Sequence, residues 1–168
     1  DASERQAGGR VVLPGFVDPH THLCYAGERW DEFTTRRSGT DYLAVLERGG
    51  GIHATVRATT KASDETLLGL MRARLARAVS LGTTTIEIKS GYGLLPEEEL
   101  RQLRLVARLK TEAAIDIAVT YLPAHPPPLP YPRDPRGFLP YAGPPHPTVA
   151  PDPLPPARAA SAAPRAGP

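Results

Sequence analysis

Proline divides this chain into two stretches of very different folding potential. Of its 20 prolines, only Pro14, Pro19 and Pro96 precede residue 123, and the other 17 fall from Pro123 onward. Proline lacks the backbone N–H and fixes φ. A run such as Pro151-Asp152-Pro153-Leu154-Pro155-Pro156 therefore supplies neither ladder donors nor a packed apolar face. From about residue 140 the chain also loses lysine and glutamate and becomes rich in proline and alanine. Residues 1–140 are expected to hold the folded part, and residues 141–168 a disordered or extended tail. That tail reads as a linker or an accident of truncation or reading frame; the alternative is a proline-rich ligand for an aromatic groove.

The folded part alternates strands and helices. Thr83-Thr84-Thr85-Ile86-Glu87-Ile88-Lys89 is rich in β-branched residues and predicts a strand. After the loop Ser90-Gly91-Tyr92-Gly93, Pro96-Glu97-Glu98-Glu99 opens a helix, with proline in its first turn and three carboxylates at the positive end of its dipole. Leu100, Leu103, Val106 and Ala107 are its expected buried stripe, and Ala114 to Leu122 is the next strand. Strand, helix and strand at this spacing form a βαβ unit, which implies a parallel sheet and an α/β fold class. Upstream, residues 63–81 predict a helix capped by Ser63 or Asp64. Leu67, Met71, Leu75, Ala78 and Val79 share one face of it, and Gly82 stands where a left-handed C′ residue belongs. Residues 40–48 predict a shorter helix. Val11-Val12-Leu13 through Phe16-Val17-Asp18 predicts a short buried strand interrupted by Pro14-Gly15.

Composition narrows the function classes. A length of 168 residues fits one ordinary domain and falls short of the roughly 250 residues of a complete (β/α)8 barrel. The net charge is +2 and the basic residues are interleaved with acidic ones, so no phosphate-tracking surface and no nucleic-acid partner are expected. No apolar run reaches the length of a membrane span, and the polar start Asp1-Ala2-Ser3-Glu4-Arg5-Gln6 is unlike a signal peptide. The single cysteine, Cys24, precludes an internal disulfide framework and suits a reducing cytoplasm. It reads as a small buried residue rather than a ligand or nucleophile.

The strongest chemical signal is Pro19-His20-Thr21-His22-Leu23 at the end of the first strand. Alternate strand residues share a face, so His20 and His22 point together and their imidazoles can converge on one cation. The C-terminal ends of parallel strands are where α/β barrels place their active sites. A metal there would bring the pKa of a water ligand to about 7. Two histidines are half of such a site, since a catalytic zinc takes three protein ligands plus water. The plainer alternative is a chance His-x-His at a polar strand end.

The wider segment Val12-Leu13-Pro14-Gly15-Phe16-Val17-Asp18-Pro19-His20-Thr21-His22-Leu23 resembles the first barrel strand of the metal-dependent amidohydrolase superfamily. Three further stretches narrow the resemblance to the imidazolonepropionase family. They are Ala26-Gly27-Glu28-Arg29, Gly49 to Ile52 with Thr55 to Thr59, and above all Gly82 to Leu94, in which Glu87 to Gly93 is highly specific. The resemblance covers about residues 9–139. It implies the first βα units of a (β/α)8 TIM-type barrel, one zinc or iron ion per site, and hydrolytic ring opening of 4-imidazolone-5-propanoate to N-formimidoyl-L-glutamate by metal-activated water, a step of histidine degradation. It also implies a homodimer for the full-length family.

Carried over by position, the resemblance makes His20 and His22 the first two metal ligands and assigns Arg29, Tyr92 and His125 to the substrate. Arg29 would grip the propionate, since a guanidinium fork pairs a carboxylate bidentately. Tyr92 would hydrogen-bond the substrate from its glycine-flanked loop, and His125 would contact a ring oxygen or a developing oxyanion. Tyr42 is a further residue for the pocket wall or for rim packing. The segment around His125 departs from the family: Pro123-Ala124-His125-Pro126-Pro127-Pro128 carries extra prolines.

The resemblance further implies a third histidine, a catalytic glutamate and a metal-binding aspartate from later strands, and nothing after residue 140 matches them. No catalytic residue is therefore assigned, and the isolated chain is expected to be inactive and marginally folded. Two alternatives stand beside this reading. One is another cyclic-amide hydrolase or deaminase, for which a neutral purine would leave Arg29 no carboxylate. The other is a non-catalytic truncated product or proline-tailed interaction module.

Overall fold

The structure, a computed structural model, describes residue 4, residues 6–37, 39, 45, 49–123 and 125. Among the described residues the elements follow in the order β1 (Phe16–Thr21), α1 (Trp30–Arg37), α2 (Ile52–Lys61), α3 (Asp64–Ser80), β2 (Thr83–Lys89), α4 (Pro96–Glu112) and β3 (Asp116–Thr120). The strands form one parallel sheet in the order β1-β2-β3. This is the α/β architecture that the βαβ spacing implied. The expected tail, residues 141–168, lies outside the described residues, as does the 40–48 helix apart from Val45.

The end signals of α3 act as read. The Ser63 hydroxyl accepts the Thr66 N–H at 3.2 Å, and Gly82 follows the helix at φ +99°. Gly82 then donates to the Val79 carbonyl and accepts from the Phe16 N–H at 2.9 Å, which ties the end of α3 to the start of β1. α4 begins at Pro96, as its first-turn proline requires.

The core lies between the sheet and helices α3 and α4. Leu67, Leu68 and Met71 of α3 and Leu105, Val106 and Leu109 of α4 pack on Ile86, Ile88 and Ile117, with Cys24 and Ala26 from the segment after β1. The register pairs Ile86 with Ile117 and Ile88 with Val119, so alternate residues of β2 and β3 feed this one layer. Glu87 and Lys89, between them in sequence, point to the other face, where Lys89 Nζ donates to Glu87 Oε1 at 2.5 Å.

Three details differ from the sequence-based expectation. First, β1 is not a buried strand. Val11, Val12 and Leu13 lie outside it and are exposed, and Phe16 and Val17 remain 57% and 60% exposed. Among the described residues β1 is an edge strand that pairs with β2, while α3 and α4 pack over β2 and β3. Second, Val79 is exposed and Leu68 is buried. Steps of four residues drift by about 40° on a helix of 3.6 residues per turn, so the stripe that starts at Leu67 has left the core by Val79. Third, the buried face of α4 runs through Glu99, Gln102, Leu103, Leu105, Val106 and Leu109, while Ala107 is exposed and Leu100 only partly covered. Helices α1 and α2 have no counterpart in the sequence reading. They are joined where the Gly51 N–H donates to Glu32 Oε1 at 2.9 Å.

Candidate functional site

In a parallel sheet all strands end on the same edge, and each loop leaving that edge can add a side chain to one site. The residues after the three strands do this here. His20 lies in β1 and His22 directly follows it, Tyr92 sits in the loop after β2, and His125 follows β3. Their rings converge: His22 to His20 at 5.9 Å between centroids, His22 to His125 at 4.9 Å, His22 to Tyr92 at 5.1 Å and Tyr92 to His125 at 5.9 Å. Gly91 lets them close up, since a Cβ there would lie 3.1 Å from the His22 ring and 3.3 Å from His125 Cβ.

His22 is the centre of this cluster. Its Nδ1 and Nε2 are both buried and neither has a hydrogen-bond partner among the described residues. Leaving buried polar atoms unpaired is costly, and an imidazole with both nitrogens open is free to take a ligand. Burial brings the His22 pKa down to about 4, helped by the neighbouring His125 and His20, so the ring is neutral at neutral pH. A neutral imidazole is the form that binds metals. His20 is exposed, with its ring at the outer side of the cluster.

The backbone carrying the pair is held from two sides. On the sheet side, Thr21 between the histidines donates its hydroxyl to the Glu87 carbonyl at 2.7 Å and its N–H to Glu87 Oε2 at 3.4 Å. On the helix side, Arg74 Nη1 donates to the carbonyls of Leu23 at 2.6 Å and Tyr25 at 2.7 Å, and its guanidinium lies 3.4 Å from the Tyr25 ring centroid. The Tyr25 ring meets Tyr92 at 5.8 Å, so Arg74, Tyr25, Tyr92 and His22 form a continuous contact path.

Tyr92 is partly covered, and burial raises its phenol pKa while the charges of Arg29 and Arg74 pull it back down. Arg29 is thus near enough for its charge to act on Tyr92, although it is not in the ring cluster. Its side chain is 40% exposed and reaches Glu32 at 3.9 Å. His125 is on the exposed side of the cluster, and its pKa is lowered by desolvation, with Glu99 acting in the opposite sense and His20 in the same.

The structure therefore brings His20, His22, Tyr92 and His125 together, and the Arg29 side chain pairs with Glu32 instead. Cys24 is buried, and burial pushes its thiol up to about 12, as suits a core residue. Tyr42 lies outside the described residues. Arg74, Thr21 and Glu87 were not picked out from sequence, because their contacts span 49 to 66 residues and leave no local pattern. Among the described residues there is no group of three or more His, Cys, Asp or Glu arranged to hold a metal. Nor is any described helix long and apolar enough to cross a membrane.

No family model matches the chain. Individual proteins do. The imidazolonepropionase of Desulfotalea psychrophila is 45% identical over 139 residues, which cover 83% of this chain and 34% of that protein. Those of Syntrophobacter fumaroxidans and Caldanaerobacter subterraneus subsp. tengcongensis are 47% and 48% identical over 131 and 136 residues, covering 31% and 33% of those proteins. The chain spans about a third of the length of the curated relatives it matches.

Proposed function

We propose, from the homology of this chain to the imidazolonepropionases, that it carries the opening βα units of an amidohydrolase barrel and the first half of that enzyme's active site. The observation that carries the reading is His22. Its two buried nitrogens have no partner among the described residues, and His20, Tyr92 and His125 stand around its ring. The reaction is hydrolysis of the ring of 4-imidazolone-5-propanoate to N-formimidoyl-L-glutamate, and the setting is the cytoplasm.

The residues fit a metal. His20 and His22 would hold zinc or iron, both of which accept imidazole. The ion would supply Lewis acidity at neutral pH. The chain's own residues serve the rest of the substrate. Tyr92 and His125 are both within ring contact of His22 and offer a hydroxyl and an imidazole N–H to polar atoms of the imidazolone. Arg29 would pair the propionate through a bidentate guanidinium–carboxylate contact, for which a neutral purine offers no partner. The described residues supply no third ligand. The 168-residue chain on its own is therefore expected to bind metal weakly and not to turn over substrate. Dimer formation belongs to the longer relatives in this reading.

Calorimetric titration with 3-(imidazol-4-yl)propanoate tests the substrate side. The account expects the carboxylate ligand to bind better than 4-propylimidazole and Arg29→Met to remove that preference, a loss of about tenfold. Equal binding of the two ligands, or no effect of Arg29→Met, would contradict it.

A further inference from the structure

Three carboxylates open α4, and the third behaves unlike the other two. Glu99 is fully buried, whereas Glu97 is exposed and Glu98 is partly so. Its Oε1 accepts the backbone N–H of Gly93 at 2.8 Å and of Leu94 at 2.6 Å. One turn on, Gln102 Oε1 accepts the N–H of Tyr92 at 3.4 Å and is itself buried. Three successive amides of the loop after β2 thus point down onto the first two turns of α4.

Ser90 ties the start of the loop to the β3 side, donating its N–H to the Thr120 carbonyl at 3.0 Å and accepting the Leu122 N–H on its hydroxyl at 3.0 Å, and the bonds to Glu99 and Gln102 hold the part that follows. Leu94 stands at φ +62°, a conformation costly to any residue with a side chain, and Leu95 at the N-cap offers no side-chain acceptor. Gly93 lies so close on the helix that a Cβ would come within 2.5 Å of the Glu99 nitrogen. A carboxylate near a helix N-terminus is favoured by the dipole, and its bonds to amides are charge-assisted. Glu99 thereby ties the two residues before the N-cap to the first turn of α4.

We propose that Glu99, seconded by Gln102, is a positioning residue for Tyr92: it pins Gly93 and Leu94 to α4 so that the Tyr92 ring is held against His22. Glu99 acts through the loop backbone and does not enter the site. The inference deepens the site proposed above and rests on that reading for its purpose. Its test uses no metal and no substrate, so its failure and the failure of the substrate assignment are distinguishable.

The test is NMR on the full chain, reading the hydrogen exchange of the Gly93 and Leu94 amides and the cross-relaxation between the Tyr92 and His22 rings. Glu99→Met keeps the volume and removes the acceptor. It is expected to lower protection of those two amides by about tenfold or more and to abolish the ring contact. Glu99→Gln keeps an acceptor oxygen and is expected to retain both signals. Leu103→Ala, which truncates a buried side chain of the same helix, is expected to lower stability and leave the ring contact in place. If Glu99→Met does not fold, Glu99→Asp, one methylene short of the loop, takes its place in the same comparison. The proposal is overturned if the acceptor-deficient variant keeps protected amides and the Tyr92–His22 contact. It is equally overturned if Leu103→Ala loses them to the same extent.

Discussion

At the scale of single residues, the site is a matter of what His22 lacks and what holds it. Its nitrogens are desolvated without a partner among the described residues, a state that stable cores avoid and ligand sites use. The histidine pair was legible because its spacing is local: two side chains, one strand, one face. Arg74 was not legible. From sequence it is one arginine among several on an amphipathic helix, and only the fold shows it bonding two carbonyls just beyond His22. Its removal therefore makes a specific prediction. Arg74→Met keeps much of the aliphatic stem and loses two charge-assisted bonds, so it is expected to destabilise the chain by roughly 1–3 kcal/mol. Urea denaturation checks this, and a variant as stable as the parent would show that the Leu23–Tyr25 segment needs no such tether.

At the scale of elements, the sequence was most readable where a signal is short-range. Ser63, Gly82 and Pro96 are end signals whose physics is complete within one turn, and each stands where it was expected. β2 was read to the residue because β-branched residues dominate it and it pairs on both sides. β1 was misjudged because burial depends on neighbours. Val11 to Val17 is as apolar as a core strand, yet among the described residues only β2 pairs with β1. Glu99 stands at the start of α4 as expected, but its burial was not legible, since its partners lie in the preceding loop. The corrected helix faces can be tested by truncation. Met71→Ala at the centre of the α3–sheet layer is expected to cost about 2–5 kcal/mol, and Val79→Ala less than about 0.5 kcal/mol. Ser63→Ala should fall between them at about 1 kcal/mol, since it removes the Thr66 cap bond and no packing. Comparable losses at Met71 and Val79 in denaturant melts would mean that the face is assigned wrongly.

At the scale of the whole molecule, the parallel order β1-β2-β3 does the assembling. It places the loops after all three strands at one edge, and so gathers residues 20, 22, 92 and 125 that sequence separates by up to 105 positions. The same geometry puts Glu87 and Lys89, on the face of the sheet opposite the core, near that cluster. The central claim is that this edge is half of a metal site. Titration of the full chain with cobalt(II), followed by the visible absorption that imidazole ligation gives the ion, addresses it directly. The account predicts a saturable spectrum at one ion per chain that is lost in His22→Ala and weakened in His20→Ala, while Tyr92→Phe leaves it intact. A spectrum that never develops, or one that is unchanged in the His20→Ala, His22→Ala double variant, would contradict it.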